Sequence, residues 1–566
     1  MAGLLVVDGR LPAVVAGSSA PHAQAGRATA DPDAACAGCH REIYERYRAT
    51  PMANASGIAA EGFLPARFTH AASAVSYRVE ESGGHVWLDF ERDDPVRELK
   101  GRRELKYFLG SGTRGRTYLF EDQGYWFEIP INWYAKKQIW DMAPNYQQAR
   151  EMPLVLPVDP GCLRCHASGA QPSLPEARNK YVDAPFTEGG ITCAACHGDT
   201  TAHVNSGGRV ALLKLSQLEP VHRDSICLSC HLEGQEAVVH ESKRLVDFRP
   251  GESIFDYASF FVRGGRNRGS GQRATSQWEA LLASGCRRGA GDKLTCTSCH
   301  DPHGSTVAMR PEERISYYRE KCLACHDPGA AAGKPSTGFA ATHHAENRDC
   351  ASCHMPRATA NDIAHEQVTD HRIPRFSREK PAPFAGLPDA LVPIGDGTTH
   401  PRDRDSRDLG LAYAQKAVKG DSQAAARARS LLTEAALAPG AAGDHELHSQ
   451  LGFLDQLAGD KEGAAREYSL ALATDPNDSL AAGNLALLKA GEWQYIAAAE
   501  LWQRAFQDDP VQLQAGRNLA LVECGLGKKE AALGTLDRIL EFSPDDGQVR
   551  ELAHAIRSGR HGCGVH

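Results

Sequence analysis

The chain of 566 residues is informative first through what it lacks: a long apolar run, an excess of basic charge and aromatic bulk. No run of about 20 apolar residues occurs, so no segment has the pattern of a membrane-spanning helix. The formal net charge of −8 argues against a nucleic-acid-binding protein, which would present a basic face. Aromatic residues make up only 7%, so a large core needs another source of apolar volume.

Residues 1–30 have some features of an export signal. The stretch 3–15 is apolar but is interrupted by an Asp-Gly-Arg sequence, and Ala23-Gln24-Ala25 has the small-x-small form of a signal-peptidase site. The basic segment that normally begins such a signal is missing. The leader is therefore either a degenerate or mis-started export signal or a disordered extension.

Cysteine and histidine are abundant, with 17 Cys and 24 His, and they are concentrated between Cys36 and His371. The pattern Cys-x-x-Cys-His occurs seven times in this region. Two thiols separated by two residues can reach both vinyl groups of one haem, and the adjoining imidazole then binds the iron as proximal ligand. The predicted attachment cysteines are Cys36 and Cys39, Cys162 and Cys165, Cys193 and Cys196, Cys227 and Cys230, Cys296 and Cys299, Cys322 and Cys325, and Cys350 and Cys353. The predicted proximal ligands are His40, His166, His197, His231, His300, His326 and His354.

Structural zinc and disulfides are the alternative interpretations of these motifs. A zinc site needs four ligands, and zinc chemistry does not require a histidine directly after every second cysteine. A disulfide framework would explain the cysteines of an exported protein but leaves seven histidines without a role. Seven covalently attached haems c, each with its iron, account for both residue types.

The spacing of the motifs predicts two compact groups of haems. The second to fourth motifs begin at positions 162, 193 and 227, and the fifth to seventh begin at positions 296, 322 and 350. Such short intervals hold only a helix or two and a loop, so neighbouring haems should come into contact. The first motif is predicted to stand alone, because the long segment 41–161 separates it from the second.

Six-coordinate haem iron needs a second axial ligand, commonly His or Met. Enough histidines remain for all seven irons to have two histidine ligands. The candidate distal ligands are His70, His203, His222, His303, one of His343 and His344 (we take His344), His365 and His371. We expect His85, His240 and His400 to be surface or hydrogen-bonded imidazoles. Met52 is either a thioether ligand or a packing residue.

Three cysteines lie outside the motifs. Cys524 falls in a predicted helix, where it is expected to be a small buried apolar residue. No pattern accounts for Cys286 or Cys563, and a lone thiol in an oxidising compartment is open to adduct formation.

The motifs and the residues after them resemble the multihaem cytochrome c superfamily, which contains tetrahaem electron carriers and the hydroxylamine oxidoreductase of nitrifiers. The resemblance covers roughly residues 30 to 375. It rests on Cys196-His197-Gly198 leading to His203, on Cys299-His300-Asp301-Pro302-His303, and on Cys353-His354-Met355-Pro356 leading to Asp370-His371-Arg372-Ile373. It implies a mainly helical, haem-packed fold with stacked haem pairs and iron bound mostly by two histidines. The chain departs from the enzymatic members in having no Cys-x-x-Cys-Lys motif and seven motifs rather than eight.

Between the first two motifs, alternating apolar residues and turn residues predict two β-hairpins, over 76–79 with 85–90 and 117–120 with 125–129. We expect a small β insert over about 66–150 that covers the first haem. The Gly-rich stretch Gly110 to Arg116 is either an anion-binding loop or, more simply, a hairpin loop. The predicted fold class is thus mainly α, with a heptahaem domain over 31–375 that contains this insert.

A Pro-rich segment over 376–407 is predicted to be a linker. The segments 445–478, 479–512 and 513–546 are equal in length and match the tetratricopeptide pattern of small and large apolar positions. A weaker unit over 408–439 precedes them, and 547–559 is predicted to be a capping helix. Residues 408–560 should therefore form a helical solenoid. Such arrays ordinarily bind other proteins, although this one could instead brace the haem domain or mediate self-assembly.

Two functions remain open at the level of sequence. The first is an electron carrier in which the haems form a chain and the helical array docks redox partner proteins, for example other cytochromes. The second is an oxidoreductase in which one haem has an open face for a small nitrogen or sulfur compound. Covalent haem attachment predicts a periplasmic or extracellular location, by the compartment rule for exported thiols.

Overall fold

The computed structural model describes residues 31–95, 97–263, 276–326, 349–357, 369–374, 390–395 and 406–564. The described chain begins with one helix, which is followed by a ten-stranded antiparallel sheet. Further helices and two small sheets come next, and the chain ends in a series of paired helices. Within these ranges, no helix is both long and apolar enough to cross a lipid bilayer. The leader 1–30 and most of the segment 376–407 lie outside the described residues.

The large sheet follows the first motif. Its strands are β1 Ser56–Ile58, β2 Ala66–His70, β3 Val75–Ser82, β4 His85–Arg92, β5 Leu99–Leu109, β6 Gly115–Asp122, β7 Tyr125–Glu128, β8 Ile131–Tyr134, β9 Ile139–Met142 and β10 Leu156–Pro157. The strand order is β10-β7-β6-β5-β4-β3-β2, while β1 pairs with β5 and β8 joins β6 to β9. Two-residue turns connect β3 to β4 and β6 to β7, and Gly83 and Gly84 take positive φ in the first of these turns.

Period-two alternation gives this sheet one apolar face. Along β3, Val75, Tyr77 and Val79 are fully buried, and they pack with Leu88 and Phe90 of β4 in a shared core. The opposite face is held by ion pairs. Nη2 of Arg102 lies 2.8 Å from Asp89, and Nη2 of Arg78 lies 3.2 Å from the same carboxylate.

The expectation of a mainly α protein with a small β insert is wrong. The two predicted hairpins exist as β3–β4 and β6–β7, but they are part of a ten-stranded, nearly barrel-like sheet. The sequence pattern does not reveal the additional strands, because β1, β8, β9 and β10 are only two to four residues long and β5 has Gly101 and Arg103 on the same side as the buried Leu99 and Leu105. Strand β5, with the sequence LKGRRELKYFL, is the clearest case.

Helices of 4 to 16 residues carry six of the seven Cys-x-x-Cys-His motifs. The helices of this part of the chain are α1 Ala34–Arg48, α2 Pro160–His166, α3 Ala194–His197, α4 Thr201–Asn205, α5 Pro220–His231, α6 Gln277–Leu282, α7 Gly285–Ala290, α8 Pro311–His326 and α9 Cys350–His354. Five of these helices, α2, α3, α5, α8 and α9, end on the histidine of a motif. The helical turn therefore sets the position of each imidazole relative to its two thiols.

Two small sheets accompany these helices. Strands β11 Ala167–Ala170 and β12 Phe186–Gly189 form a pair directly after the second motif. Strands β13 Glu236–Val239, β14 Ala258–Arg263 and β15 Leu391–Pro393 form a three-stranded sheet.

The C-terminal region is helical. Its helices are α10 Ser406–Val418, α11 Ser422–Ala435, α12 His445–Leu457, α13 Lys461–Thr474, α14 Ser479–Gly491, α15 Tyr495–Asp508, α16 Leu513–Gly525, α17 Lys529–Phe542 and α18 Gly547–Arg557. Helices α12, α14, α16 and α18 begin at positions 445, 479, 513 and 547, which reproduces the constant period that the sequence predicts. Asp421, Asp444, Asp460, Asp478 and Asp546 cap helix N-termini by accepting backbone N–H groups.

Small residues let the paired helices approach closely. Ala464, Ala498 and Ala532 have no exposed surface and occupy equivalent positions in successive pairs. Large neighbours such as Tyr468 and Trp502 fill the grooves between helices and are almost fully buried. This alternation of small and large residues produces one continuous core along the array.

A left-handed residue occurs in each turn between the two helices of a pair. The residues are Gly420 (φ 96°), Gly459 (φ 85°), Trp493 (φ 63°) and Gly527 (φ 77°). Trp493 thus stands where the other turns have glycine, and it is 80% exposed. An L-residue with a bulky side chain in this region of φ costs about 1–2 kcal/mol.

Both ends of the helical array contact the N-terminal part of the chain. At its start, α10 shares a core with β13, β14 and β15, and Lys419 lies 2.8 Å from Glu236. At its end, Phe542 belongs to the core of the large sheet. The array is therefore fixed along the rest of the molecule at two places.

Candidate haem-binding site

All seven Cys-x-x-Cys-His motifs line one continuous cavity, with each of their fourteen cysteines and seven histidines at its wall. Its volume is about 3610 Å³, whereas pockets for single small ligands usually measure roughly 300–1,000 Å³. The cavity therefore has room for several large ligands. Its wall is formed by α1–α9, the loops between them and one edge of the large sheet.

The first motif is not isolated, contrary to the expectation from spacing. The thiol sulfurs of Cys36 and Cys193 and a carboxylate oxygen of Asp33 all lie within 4.8 Å of one another. Asp33 Oδ1 also accepts a hydrogen bond of 3.0 Å from the backbone N–H of Cys193. The first and third motifs therefore form a pair, although the whole large sheet lies between them in the sequence.

Other motifs also approach one another in pairs. The thiol of Cys230 lies 3.6 Å from the carbonyl oxygen of Arg164, which brings the fourth motif against the second. The thiol of Cys227 also lies beside that of Cys296, and the thiol of Cys322 beside that of Cys350. These contacts join the motifs in three groups: the first with the third, the second with the fourth and fifth, and the sixth with the seventh.

Three pairs of imidazole rings face each other across the cavity. The ring centroids lie 6.3 Å apart in His40 and His203, 6.0 Å apart in His197 and His303, and 6.3 Å apart in His300 and His371. Each pair joins a motif histidine to a candidate distal histidine, with ring planes 18°, 6° and 30° apart.

These separations suit two imidazoles that share one metal ion. An imidazole nitrogen binds a metal at about 2.0–2.1 Å. Since this nitrogen lies roughly 1.2 Å from the ring centroid, two rings on opposite sides of one metal have centroids about 6.3 Å apart. The measured separations of 6.0–6.3 Å agree with this value.

Hydrogen bonds orient several of these rings. Nδ1 of His203 lies 2.7 Å from the carbonyl oxygen of Val210, and Nδ1 of His371 lies 2.9 Å from that of Thr369. Nδ1 of the motif residue His354 lies 2.8 Å from the carbonyl oxygen of Pro374. A carbonyl can only accept, so Nδ1 carries the hydrogen and the lone pair lies on Nε2. Metal-bound histidines commonly have such a partner on the other nitrogen.

Burial and mutual repulsion lower the pKa of several clustered imidazoles. Burial is the main cause of the lowered pKa of His197, followed by the neighbouring His303 and His40. Burial likewise lowers the pKa of His300, with additional contributions from His371 and His231. These rings are therefore neutral near pH 7, which is the form that binds iron.

Two candidate distal ligands lie away from the cavity wall. His70 is buried in β2, where Nδ1 lies 2.8 Å from Ser73 Oγ and Nε2 lies 3.0 Å from the Gln147 carbonyl oxygen. Both of its ring nitrogens are thus already hydrogen bonded. His222 lies on α5 but is not among the described residues that line the cavity. His343, His344, His365 and His400 lie outside the described residues.

Met52, His85 and His240, for which the sequence also makes predictions, lie in different environments. Met52 lines the cavity, whereas His85 is on the sheet surface with Nδ1 2.6 Å from Glu104. His240 is hydrogen bonded to Ser259 at 3.0 Å and to the Asp256 carbonyl oxygen at 3.1 Å. These two histidines have the surface or hydrogen-bonded environments expected of them.

The three cysteines outside the motifs lie in two places, Cys286 at the cavity wall and Cys524 and Cys563 at the end of the helical array. Cys286 lines the cavity and lies near Cys299 and Cys325 of the fifth and sixth motifs. Cys524 is buried as expected, but it forms a disulfide with Cys563, 39 residues further along the chain. The sequence pattern could not pair these two cysteines, because only the folded C-terminal tail brings them together.

The large sheet contributes polar residues to the cavity that the sequence analysis missed. Thr117, Glu128 and Asn132 line it from β6, β7 and β8. Burial, and then the neighbouring Asp159, raise the pKa of the Glu128 carboxyl to about 7. The Gly-rich stretch Gly110 to Arg116 also faces the cavity instead of forming only a hairpin loop.

The residues at the cavity wall fit haem c. The paired thiols would bind the vinyl groups, and the imidazole pairs have the separation required by an axially coordinated iron. Apolar residues such as Leu228, Leu281 and Ile315 also contribute to the wall.

Comparisons with known proteins agree with this site. Residues 132–198, which include the second and third motifs, match the cytochrome c554 and c-prime family. The chain is 23% identical over 221 residues to the multihaem cytochrome MtrA of Shewanella baltica (strain OS185). This alignment covers 37% of the chain and 56% of that relative, so the chain spans about half the length of the curated protein that it matches.

Among solved structures, MamA of AMB-1 matches 28% of this chain and 82% of its own, with 21% identity and a TM-score of 0.24. A tetratricopeptide repeat protein from Parabacteroides merdae ATCC 43184 matches 27% of this chain and 58% of its own, with 22% identity and a TM-score of 0.24.

Proposed function

We propose that this chain is a multihaem cytochrome that transfers electrons through seven covalently attached haems c. The observation that carries the proposal is that all seven Cys-x-x-Cys-His motifs face one cavity. Each haem would supply one-electron redox chemistry at its iron. The protein would hold the haems close together, bind their irons and exclude water from between them.

In this proposal, each motif histidine is the proximal ligand of its haem. The distal ligands are His203 opposite His40, His303 opposite His197, and His371 opposite His300. The support is the separation of each ring pair and, for His203 and His371, the Nδ1 hydrogen bond to a carbonyl. His344 and His365 remain candidates for other irons. His70 is left out because both of its nitrogens are hydrogen bonded.

The helical array is proposed to dock a redox partner protein. The edge of the array that carries the turns within each pair includes Trp493, which is 80% exposed, and Ile496, which is 66% exposed. A tryptophan in a strained turn that elsewhere uses glycine favours a role in recognition. Because the array is anchored at both ends, a partner bound there would have a fixed position relative to the haems.

An extracytoplasmic location also belongs to this proposal. Covalent haem attachment and the disulfide between Cys524 and Cys563 are both features of proteins outside the reducing cytosol. Similarity to part of MtrA is compatible with the same location.

The test is to express the chain with a haem-attachment system and to measure its intact mass and its electron paramagnetic resonance spectrum. Mass spectrometry should count seven haems, and the oxidised protein should be predominantly low-spin. A count well below seven in fully matured protein would contradict the proposal. High-spin ferric iron amounting to about one haem would instead favour an oxidoreductase with an open face, because an open position leaves iron available to a substrate.

A further inference from the structure

Glu128 is a carboxyl group in the cavity wall that has no part in the proposed haem attachment. It ends β7, where its backbone pairs with Leu119 of β6 and with Leu156 of β10. The side chain keeps part of its surface accessible, and it borders the cavity. A carboxyl group in such an enclosed place is costly to ionise, so it holds its proton more tightly than an exposed carboxyl group does.

Strand β10 brings a second carboxylate to the same place. Asp159 follows this strand by two residues and caps α2, with its Oδ1 accepting a hydrogen bond of 3.2 Å from the backbone N–H of Cys162. Burial raises the pKa of the Cys162 thiol, and the negative charges of Asp159 and Glu128 raise it further. Both carboxyl groups therefore lie close to a thiol that would bind the haem of the second motif.

The charges around Glu128 favour its neutral form. Among the described residues, Asp159 is the charged group whose field acts on it, and like charge disfavours ionisation. The nearby cations have other partners, since Arg116 of β6 donates hydrogen bonds to three backbone carbonyl oxygens and Arg164 of α2 lies beside the thiol of Cys230. Burial and then Asp159 raise the pKa of Glu128 to about 7, so its proton can exchange near neutral pH.

The strands on either side of Glu128 supply buried polar atoms for water. Thr117 lies on the same face of β6 as Leu119, which is opposite Glu128, and Asn132 lies on β8. Thr117 Oγ1 and Asn132 Oδ1 have no hydrogen-bond partner among the described residues, although both residues line the cavity and are only 8% exposed. Buried polar atoms of this kind are usually satisfied by ordered water, which can carry a proton to and from a carboxyl group.

We propose that Glu128 is a proton-binding site that takes up a proton when the haem attached at the second motif is reduced and releases it on oxidation. This inference rests on the proposed function. A redox partner protein supplies the electron and water supplies the proton, so the added negative charge is neutralised within the cavity. A unit charge about 10 Å away, at an effective dielectric constant of about 20, changes the affinity for a proton roughly tenfold.

The experiment is a spectroelectrochemical titration of the haem-loaded full-length chain as a function of pH. In the wild type, the midpoint potential of one haem should fall as pH rises above about 7, because reduction then requires the uptake of a proton. In Glu128→Gln, this potential should stay at the value that the wild type has at low pH, because the amide is neutral like the protonated carboxyl group. Infrared difference spectra should show a protonated carboxyl band that appears on reduction in the wild type and is absent from Glu128→Gln.

The matched control is Glu80→Gln. Glu80 is a sheet glutamate on β3 that lies 3.2 Å from Nη2 of Arg102, and it is not among the described residues that line the cavity. This substitution should leave the pH dependence of all potentials unchanged. Asp159→Asn keeps a residue type that caps helices but removes the negative charge, so the fall in potential should begin at a lower pH.

Two kinds of failure can be separated. A wild-type chain that carries no covalent haem contradicts the proposed function itself. A fully loaded chain whose potentials have the same pH dependence in the wild type and in Glu128→Gln refutes only the proton-binding site. If Glu128→Gln does not fold, Asp159→Asn decides, because a pH dependence that does not move in this variant also refutes the site.

Discussion

Arg92 and Asp545 form a buried ion pair that joins the large sheet to the end of the helical array. Their side chains are 2% and 1% exposed, and Nη1 of Arg92 lies 2.9 Å from Asp545 Oδ2. The same carboxylate accepts hydrogen bonds from the backbone N–H of Met152 and from Arg550. One aspartate thus connects three segments that are far apart in the sequence.

Removing one partner of this pair should be strongly destabilising. Arg92→Met leaves a buried carboxylate without its main counter-charge, and the free energy of unfolding should fall by about 3–5 kcal/mol. Urea denaturation followed by circular dichroism measures the change. The exposed pair Arg41 and Glu45 provides the control, since its side chains are 79% and 61% exposed and Arg41→Met should cost below about 1 kcal/mol. Equal effects of the two substitutions would contradict this account.

Replacing His371 should open one iron. His371→Ala removes the proposed partner of His300, so the oxidised variant should gain a high-spin ferric signal from about one-seventh of its iron. Electron paramagnetic resonance at known haem content measures it. His70→Ala is the matched control, because His70 is hydrogen bonded within the sheet and its loss should not change the spin state. An unchanged spectrum for His371→Ala would remove His371 from the ligand set.

Breaking the disulfide should destabilise the end of the array. In the chain-entropy model, a loop of 39 residues corresponds to about 4 kcal/mol of stabilisation. Cys524→Ala combined with Cys563→Ala should therefore lower the thermal unfolding temperature of the helical region, as measured by circular dichroism. The single variant Cys563→Ala should have a similar effect. If a mild reductant lowers the wild-type transition by the same amount and leaves the double variant unchanged, the disulfide is the cause.

At position 493, glycine should give a more stable protein than alanine, which is the reverse of their usual order in and around helices. At most helix-associated sites glycine is the less stable residue, but φ is 63° here, a conformation that glycine adopts without strain. Trp493→Gly should be more stable than Trp493→Ala by about 1 kcal/mol. Denaturation of the two variants measures the difference. Both variants should lose partner binding equally, because both lack the exposed indole ring, and retained binding would exclude Trp493 from the docking surface.

His448 should make the stability of the array depend on pH. Its Nδ1 lies 2.7 Å from Glu467 and its Nε2 lies 3.1 Å from the Ala441 carbonyl oxygen, so both nitrogens face acceptors. The hydrogen bond with Glu467 raises the pKa of His448 although burial opposes it. The stabilisation is therefore complete below the unfolded pKa of about 6.5 and is lost as pH rises through the higher folded value.

Unfolding midpoints measured across this pH range should fall in the wild type as pH rises. His448→Gln should remove part of that slope, while His445→Gln tests the separate contribution of a neighbouring histidine whose pKa is raised mainly by its hydrogen bond with Asp478. A wild-type slope that is unaffected by His448→Gln would contradict the assignment.

Features that depend on short stretches of chain can be predicted from the sequence. A Cys-x-x-Cys-His motif is complete within five consecutive residues, and small residues such as Ala464 and Ala498 recur once in every helix pair. The proposed distal ligands His203, His303 and His371 can also be chosen from the sequence, because each lies within a few residues or one short loop of a motif. Each of them nevertheless faces the histidine of a different motif from the one that it follows in the sequence, so the sequence identifies the candidate ligand but not its partner.

Long-range relationships cannot be predicted in this way. Spacing isolates the first motif, whereas Asp33 holds it against Cys193. His70 has the correct residue type, but its position in a strand gives both nitrogens other partners. The extent of the sheet is underestimated because several strands are only two to four residues long, and because β5 has Gly101 and Arg103 on the same side as the buried Leu99 and Leu105.

The contact between the first and third motifs has a consequence for the order in which the chain folds. Joining Asp33 to Cys193 closes a loop of 160 residues, and the entropy cost of closure grows with the logarithm of loop length. The folded sheet shortens that path, because Ser56 Oγ donates a hydrogen bond of 2.7 Å to the His166 carbonyl. Once the sheet has formed, only short stretches of chain separate the two motifs from this contact. The folded sheet therefore lowers the entropy cost of bringing Asp33 and Cys193 together. In a variant whose sheet is destabilised, the first and third motifs should come together more slowly during folding.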